Sequence, residues 1–347
     1  MLNYLHIGMP KNLSSTLQEY YFSKHQDIYH LGVGNGSLID YIDDDINVLF
    51  ENYLLYSRDY EYSISEQKFR GIIKKHKDKA TKNGSVAFGA SLELLSFTFT
   101  PDMIDITTKA RRLRLLFGDD TKILMVIRNQ ADLIKSMYRE FIKIGYPGTY
   151  REYIDYLFLY KSRSFFYDFS YKNLYQVFAQ EFGSKNIEII IAEEIRDETG
   201  ALCTKDGYPE LLSKLDSILK VKPRIKDLGH SNAPLTSSEL YHKQHLNKKY
   251  PHDLGGSMFE FADNHRLNKY FSKFRHVQVA DSFFDIRIKR LLTTKAQQLA
   301  KLNPVKISYD ADLVYLKEMK IFYESENADF SKMVGLDLPK QYYNLEL

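Results

Sequence analysis

Tryptophan is absent from this chain of 347 residues, and cysteine occurs once, at Cys203. A lone cysteine forms no intrachain disulfide and excludes a zinc site built from several thiolates. A reducing compartment is the simpler expectation. No stretch approaches the ~18 apolar residues of a membrane span. Residues 1–10 carry neither the basic start nor the apolar run of a secretory signal. An excess of one charge is lacking too: 48 Lys and Arg stand against 45 Asp and Glu, a net +3 mixed along the chain. That balance gives no reason to expect a nucleic-acid partner, although a local basic pocket is compatible with it. There is no internal repeat and no low-complexity tract. The expectation is a cytoplasmic protein without a transmembrane segment.

Hydrophobic residues make up 44% of the chain and charged residues 27%, as in ordinary globular proteins. The length suits one large α/β domain or two smaller ones. The 27 tyrosines and 22 phenylalanines supply aromatic material for a core and a pocket, with codon bias an equally good account.

Leu2–Ile7 reads as a short buried strand, followed by a helix from Ser14 to about Lys24 with Leu13, Leu17 and Tyr21 on one face. Ile28–Leu31 reads as a second strand. Gly32-Val33-Gly34-Asn35-Gly36 then forms a loop whose spacing does not match a dinucleotide fingerprint. A polar, aromatic, helical segment runs from Asp40 to about Lys82. Val86–Phe88 reads as a strand with Ser91, Leu92 and Glu93 just beyond it, and Thr107–Phe117 as a basic helix. Lys122–Ile127 is the clearest buried strand. A helix from about Ala131 to Ile144 follows, stopped by Gly145-Tyr146-Pro147-Gly148. Further helices are expected over Arg151–Tyr160, over Leu174–Phe182 and around Leu211–Leu219. A strand is expected at Ile187–Ile191, loops over 223–235 and 251–257, and helices from Phe284 onward. Strands alternating with helices predict an α/β fold with a central parallel sheet covered on both faces. The expected organisation is a single domain over 1–347 with a helical extension from about 224.

The segment Tyr4-Leu5-His6-Ile7-Gly8-Met9-Pro10-Lys11-Asn12-Leu13-Ser14-Ser15-Thr16-Leu17 carries the first chemical signal. A strand runs into a loop with one lysine, then hydroxyls, then a helix. Free N–H groups at a helix start and the helix dipole favour an anion, and the lysine adds a mobile positive charge. The segment lacks the G-x-x-x-x-G-K-[ST] spacing of an NTPase loop, and an N-capped helix with a surface lysine accounts for it about as well. The second signal is Arg128-Asn129 at the exit of the strand ending at Ile127, with Ser136 and Tyr138 on the next helix. Arginine offers a fork for a phosphate and serine a hydroxyl donor.

Taken together, Ile7-Gly8-Met9-Pro10-Lys11 with Ser14-Ser15-Thr16-Leu17, and Arg128-Asn129 with Ser136 and Tyr138, resemble the sulfotransferases that use 3′-phosphoadenosine 5′-phosphosulfate (PAPS). Arg128-Asn129-Gln130-Ala131-Asp132-Leu133 is similar to bacterial members in particular. Weaker likeness extends to Glu193-Glu194-Ile195 and to the stretch from Phe322-Tyr323 through Asn327 and Gly335 to Leu338. The resemblance implies a P-loop-NTPase-like sheet and a carbohydrate-type member. It implies that Lys11 contacts the bridging oxygen and the 5′-phosphate. Asn12, Leu13, Ser14, Ser15 and Thr16 would line that phosphate, and Arg128 and Ser136 would hold the 3′-phosphate. Ser91-Leu92-Glu93 resembles the bacterial Ser-x-Glu shape and makes Glu93 the candidate base, with His6, His25 and His30 as rivals.

Four positions depart from the family pattern: Leu13 where glycine is usual, Asn12 for threonine, Gln130 for proline, and Ala192 where many members have tyrosine. The expected activity is sulfuryl transfer from PAPS to an acceptor hydroxyl, of a carbohydrate or a glycolipid, without a metal. Two alternatives stay open: a P-loop nucleotide kinase or NTPase, and a non-catalytic member that binds nucleotide or glycan. Three smaller features have plain structural readings. His242, His245, His252 and His265 lack a metal-binding pattern, Arg111-Arg112-x-Arg114 reads as a solvated helix face, and Tyr167-Asp168-Phe169 with Tyr171 could stack on a sugar or pack in a core.

Overall fold

A parallel sheet needs a crossover between successive strands, and this chain supplies one each time. The computed structural model describes residues 1–10, 12–32, 41–99, 103–196, 201–226, 228, 235–250 and 286–347, with side chains in the last stretch from 290 onward. Lys11, most of the glycine loop (33–36), His252, His265 and the loop at 251–257 lie outside the described residues.

Strand β1 (Leu2–His6) leads through a short helix α1 (Ser14–Thr16), continued as π-helical turns over Leu17–Phe22, to β2 (Ile28–His30). Helix α2 (Asp44–Val48), π-helical turns over Leu49–Leu54 and α3 (Asp59–Lys82) connect to β3 (Ala87–Ser91). A 3₁₀ turn at Glu93–Leu95 and α4 (Ile106–Phe117) lead to β4 (Lys122–Ile127). Helices α5 (Gln130–Ile144), α6 (Tyr150–Leu159), α7 (Phe165–Asp168) and α8 (Tyr171–Phe182) precede β5 (Ile187–Ile191). After the sheet come a small hairpin, β6 (Thr204–Lys205) and β7 (Tyr208–Pro209), then α9 (Glu210–Leu219), α10 (Ser237–Lys249), α11 (Ile286–Leu302) and α12 (Leu313–Val334).

The five long strands form one parallel sheet in the order β2-β3-β1-β4-β5. This is the predicted α/β architecture. Because strand side chains alternate between faces, β4 feeds two cores. Ile123, Met125 and Ile127 enter one, and Leu124 and Val126 enter the other. In β1, Leu5 joins the first core and Tyr4 the second. Helices cover both faces, which is why Ile123 to Ile127 of β4 can be apolar without a break. The helices after α9 return to this body: Asn247 of α10 donates to the carbonyls of Ile142 and Tyr146, and the Tyr323 hydroxyl of α12 donates to Phe166.

Two local expectations change. The strand placed at Val86–Phe88 runs instead over Ala87–Ser91, because pairing with β1 and β2 on both sides recruits Gly89 and Ala90 despite their low strand propensity. The arginine run of α4 is a solvated face only in part: Arg111 is exposed, but Arg112 is not. Arg112 is buried, donates to Asp59 and to the Tyr53 carbonyl, and lies 4.3 Å over the Tyr62 ring. Arg111 shares Asp59, and Arg114 pairs with Glu181 and Asp119.

Candidate functional site at the carboxyl ends of the strands

The strand order dictates where a ligand can sit. From β1 the chain turns toward β2, and from β4 it turns toward β5, so the two loops part and leave a crevice outside adjacent strand ends. The register sets what faces that crevice. His6 pairs with both Ser91 and Leu124, and Ile127 pairs with Ile191. Continued by two residues, these pairings set Gly8 level with Glu93 and Val126, and Asn129 level with Glu193.

The β1 side is an open helix start. Met9 N–H still donates to the Val126 carbonyl, as a strand residue would. The buried Asn12 side-chain amide donates to the same carbonyl at 3.2 Å, binding the loop to β4. Leu13 then adopts φ 64° and ψ 6°, the left-handed conformation that favours glycine. This turn swings the chain into α1, whose start has no side-chain cap. The leading N–H groups of a helix have no partner within it; Ser15 at this start is exposed, whereas Ser14 is buried and its hydroxyl donates to the Met9 carbonyl at 3.4 Å. The left-handed turn is thus made by a leucine, not by a glycine.

The β4 side is built around Arg128. Its N–H donates to the Tyr171 hydroxyl at 3.2 Å, and the same hydroxyl donates to its carbonyl. Its guanidinium is half-buried and, among the described residues, meets exposed Asp132, loosely, at 3.5 Å. Partial desolvation lowers the Arg196 guanidinium, and the like charge of Arg128 adds to that. Two cations thus share this end of the sheet. Asn129 caps α5, its Oδ1 accepting from the N–H groups of Ala131 and Asp132 at 3.0 and 3.3 Å. Ser136 follows on α5, half-buried and with no side-chain hydrogen bond to a described residue.

From β3 comes Glu93, half-buried at the start of its 3₁₀ turn. The segment carrying it is fastened from below. Lys109 of α4, wholly buried, donates from Nζ to the carbonyls of Leu94 and Phe97, both at 2.8 Å. Burial pulls this ammonium down to about 8. The Asp168 carboxylate accepts from the N–H and hydroxyl of Thr98 at 2.7 and 2.5 Å, and burial pushes it up.

The rival histidines are packed away. His6 is buried, its Nδ1 hydrogen-bonded to Ser91 Oγ at 2.6 Å, and Gln18 donates to that same oxygen at 2.9 Å. Burial lowers its imidazole to about 4, so it is neutral near neutral pH. His30 bonds the Tyr4 hydroxyl at 2.8 Å and is lowered to about 3 by burial and by His6. His25 bonds the Lys222 carbonyl at 3.0 Å and stands 3.8 Å from Asp216. His242 bonds the Asn303 carbonyl, and no group of three potential metal ligands occurs among the described residues. Phe169 and Tyr171 are core residues, whereas Tyr167 is exposed.

Asn12, Leu13, Ser14, Ser15 and Thr16 thus follow β1, Glu93 follows β3, and Arg128 follows β4 with Ser136 on α5, on segments that leave adjacent strand ends. Lys11 lies outside the described residues. Sequence reasoning missed the function of Glu193: its Oε1 accepts from Asn129 N–H at 2.7 Å and its Oε2 from the Tyr342 hydroxyl at 2.8 Å. A cavity of about 590 Å³ beside α9, lined by Tyr208, Asp216, Lys220 and Lys226 among others, shares no lining residue with this crevice.

Among solved structures the chain is similar to the crystal structure of a sulfotransferase from Alicyclobacillus acidocaldarius. The identity is 16%, the alignment covers 72% of this chain and 93% of that one, and the TM-score is 0.38. No protein-family description and no curated protein matches the chain. No described helix is long and apolar enough to cross a membrane.

Proposed function

We propose that this protein is a sulfotransferase that moves the sulfuryl group from PAPS to an acceptor hydroxyl, of a carbohydrate or a glycolipid. One observation carries the reading: an uncapped helix start after β1 and a half-buried arginine after β4 flank the same switch point. The donor set fits a bisphosphorylated nucleotide. Backbone N–H groups of a helix start stand on one side and Arg128 with Ser136 on the other; among the described residues, exposed Asp132 is the anion that meets the Arg128 guanidinium. PAPS supplies an activated sulfuryl group and a phosphate leaving group.

In this reading the Arg128 fork and Ser136 hold the 3′-phosphate and set the nucleotide in register. The N–H groups of residues 14–16 and the Lys11 ammonium stabilise negative charge as it builds on the departing 5′-phosphate oxygen. The Glu93 carboxylate accepts the acceptor's hydroxyl proton as the new S–O bond forms and the S–O bond to phosphate breaks. Melting temperatures with adenosine 3′,5′-bisphosphate, ADP and ATP test the reading, since a ligand that binds the folded state raises apparent stability. Selective stabilisation by the 3′-phosphorylated nucleotide is expected. Stabilisation by ATP with Mg²⁺-dependent hydrolysis would point instead to an NTPase.

A further inference from the structure

The segment after α12 is strapped across the loop that carries Arg128, and each residue of Arg128-Asn129-Gln130 is fastened by the strap or its neighbours. Tyr171, whose hydroxyl grips both backbone groups of Arg128, packs its ring 6.3 Å from that of Tyr342. The Asn129 side-chain amide donates to the Gln341 carbonyl, and its N–H donates to Glu193, whose other oxygen is held by Tyr342. Gln130 and Asn327 exchange two hydrogen bonds, at 2.8 and 3.0 Å, and Asn327 also donates to the Tyr342 carbonyl at 2.8 Å. Farther along, Lys135 of α5 donates to the Glu346 carbonyl, and Leu345 N–H donates to Glu324 of α12.

We propose that Tyr342, acting through Glu193, is a positioning residue for Arg128, and that the C-terminal strap thereby sets selectivity for a nucleotide bearing a 3′-phosphate. The proposal rests on the reading of Arg128 as the 3′-phosphate ligand. The geometry explains why a remote hydroxyl matters. Among the described residues the Arg128 guanidinium has one loose partner, Asp132, so the direction of its fork is set by its backbone. That backbone has two anchors, Tyr171 at Arg128 itself and Glu193 at Asn129. Glu193 is aimed only if its second oxygen is held, and Tyr342 holds it. The ring of Tyr342 is fully buried, so removing the hydroxyl frees the carboxylate without emptying the core.

The test measures binding of adenosine 3′,5′-bisphosphate and of AMP to the full-length protein and to Tyr342→Phe, Glu193→Gln and Arg128→Ala. Losing one hydrogen bond that aims a ligand predicts a drop of about 3- to 10-fold in the bisphosphate/AMP affinity ratio for Tyr342→Phe. Glu193→Gln keeps the Tyr342 side chain and should lower the same ratio. Arg128→Ala should abolish the preference. A ratio unchanged in both Tyr342→Phe and Glu193→Gln, with the preference lost in Arg128→Ala, overturns the positioning role and leaves the site reading standing. An unchanged ratio in Arg128→Ala overturns the site reading and the proposal with it. Equal weakening of both nucleotides in Tyr342→Phe marks a purely structural contact and also overturns the proposal.

Discussion

The Nε2 of His6 stands 2.6 Å from the point where a β-carbon on Gly8 would lie, with Val126 Cβ 3.3 Å away on another side. The imidazole is held by Ser91, itself held by Gln18, so it has no slack with which to retreat. Glycine at position 8 therefore admits the ring that closes the floor of the β1 loop. Gly8→Ala should cost about 1–3 kcal/mol as an overpacking change. In a double-mutant cycle the cost should shrink when His6 is also reduced to alanine. Simple additivity in urea melts would show that the imidazole is not the obstacle.

Acid should weaken the fold through the same ring. Its folded-state value of about 4 lies below the ordinary 6.5, so across that interval the unfolded chain binds more protons than the folded one. The stability it contributes is complete above 6.5 and is lost as pH falls toward 4. Between about pH 7 and about pH 5 the loss from His6 alone is about 2 kcal/mol. His6→Asn, which keeps a hydrogen-bonding atom near Nδ1 but does not titrate, should flatten that part of the stability curve. An equally steep decline in the variant would assign the acid sensitivity elsewhere.

Lys109 makes the opposite prediction at alkaline pH. Its ammonium is held at about 8 against 10.5, so the unfolded chain keeps its proton longer and stability from this group rises with pH between those values. In Lys109→Met the carbonyls of Leu94 and Phe97 lose their donor, which should cost about 1–3 kcal/mol at neutral pH. The gap between wild type and variant should widen as pH is raised through that window. A gap that narrows would mean that the folded protein holds this proton more tightly than the unfolded chain does.

Leu13 shows what local sequence could and could not reveal. The loop was legible because a strand, a lysine and a hydroxyl cluster lie within a few residues of one another. β4 was legible because Ile-Leu-Met-Val-Ile is an unbroken apolar run, opened by Lys122. The hairpin β6–β7 was legible in principle from Asp206-Gly207, both at positive φ, and went unrecognised. The burial of Arg112 and the Glu193–Tyr342 latch were not legible, because their partners lie 53 and 149 positions away and no local pattern encodes such pairs. At Leu13 the replacement of glycine was visible, but the left-handed backbone needed coordinates.

That backbone yields its own test. Leu13→Gly relieves about 1–2 kcal/mol of left-handed strain. It also gives up about 1 kcal/mol of half-buried packing and adds freedom to the unfolded chain. The net change in stability should therefore fall within about 1 kcal/mol of zero, with nucleotide binding kept. Leu13→Val places a β-branched residue where such residues are outliers, and should both destabilise the protein and weaken nucleotide binding. Tight binding by the valine variant would mean that the loop does not need its left-handed turn.

Lys11 and Glu93 separate binding from chemistry. If the Lys11 ammonium neutralises charge that builds on the leaving oxygen, Lys11→Ala should lower turnover by about 10²-fold or more while the fold survives. Glu93→Gln removes a proton acceptor but no phosphate ligand. It should lower turnover by about 10²- to 10⁴-fold with affinity for adenosine 3′,5′-bisphosphate unchanged. His6 lies buried with its Nδ1 bonded to Ser91, and the ring of His30 is held by the Tyr4 hydroxyl. Full activity in Glu93→Gln would rule out Glu93 as the proton acceptor. Full activity in Lys11→Ala would leave the β1 loop as a nucleotide cradle with no part in the transfer step.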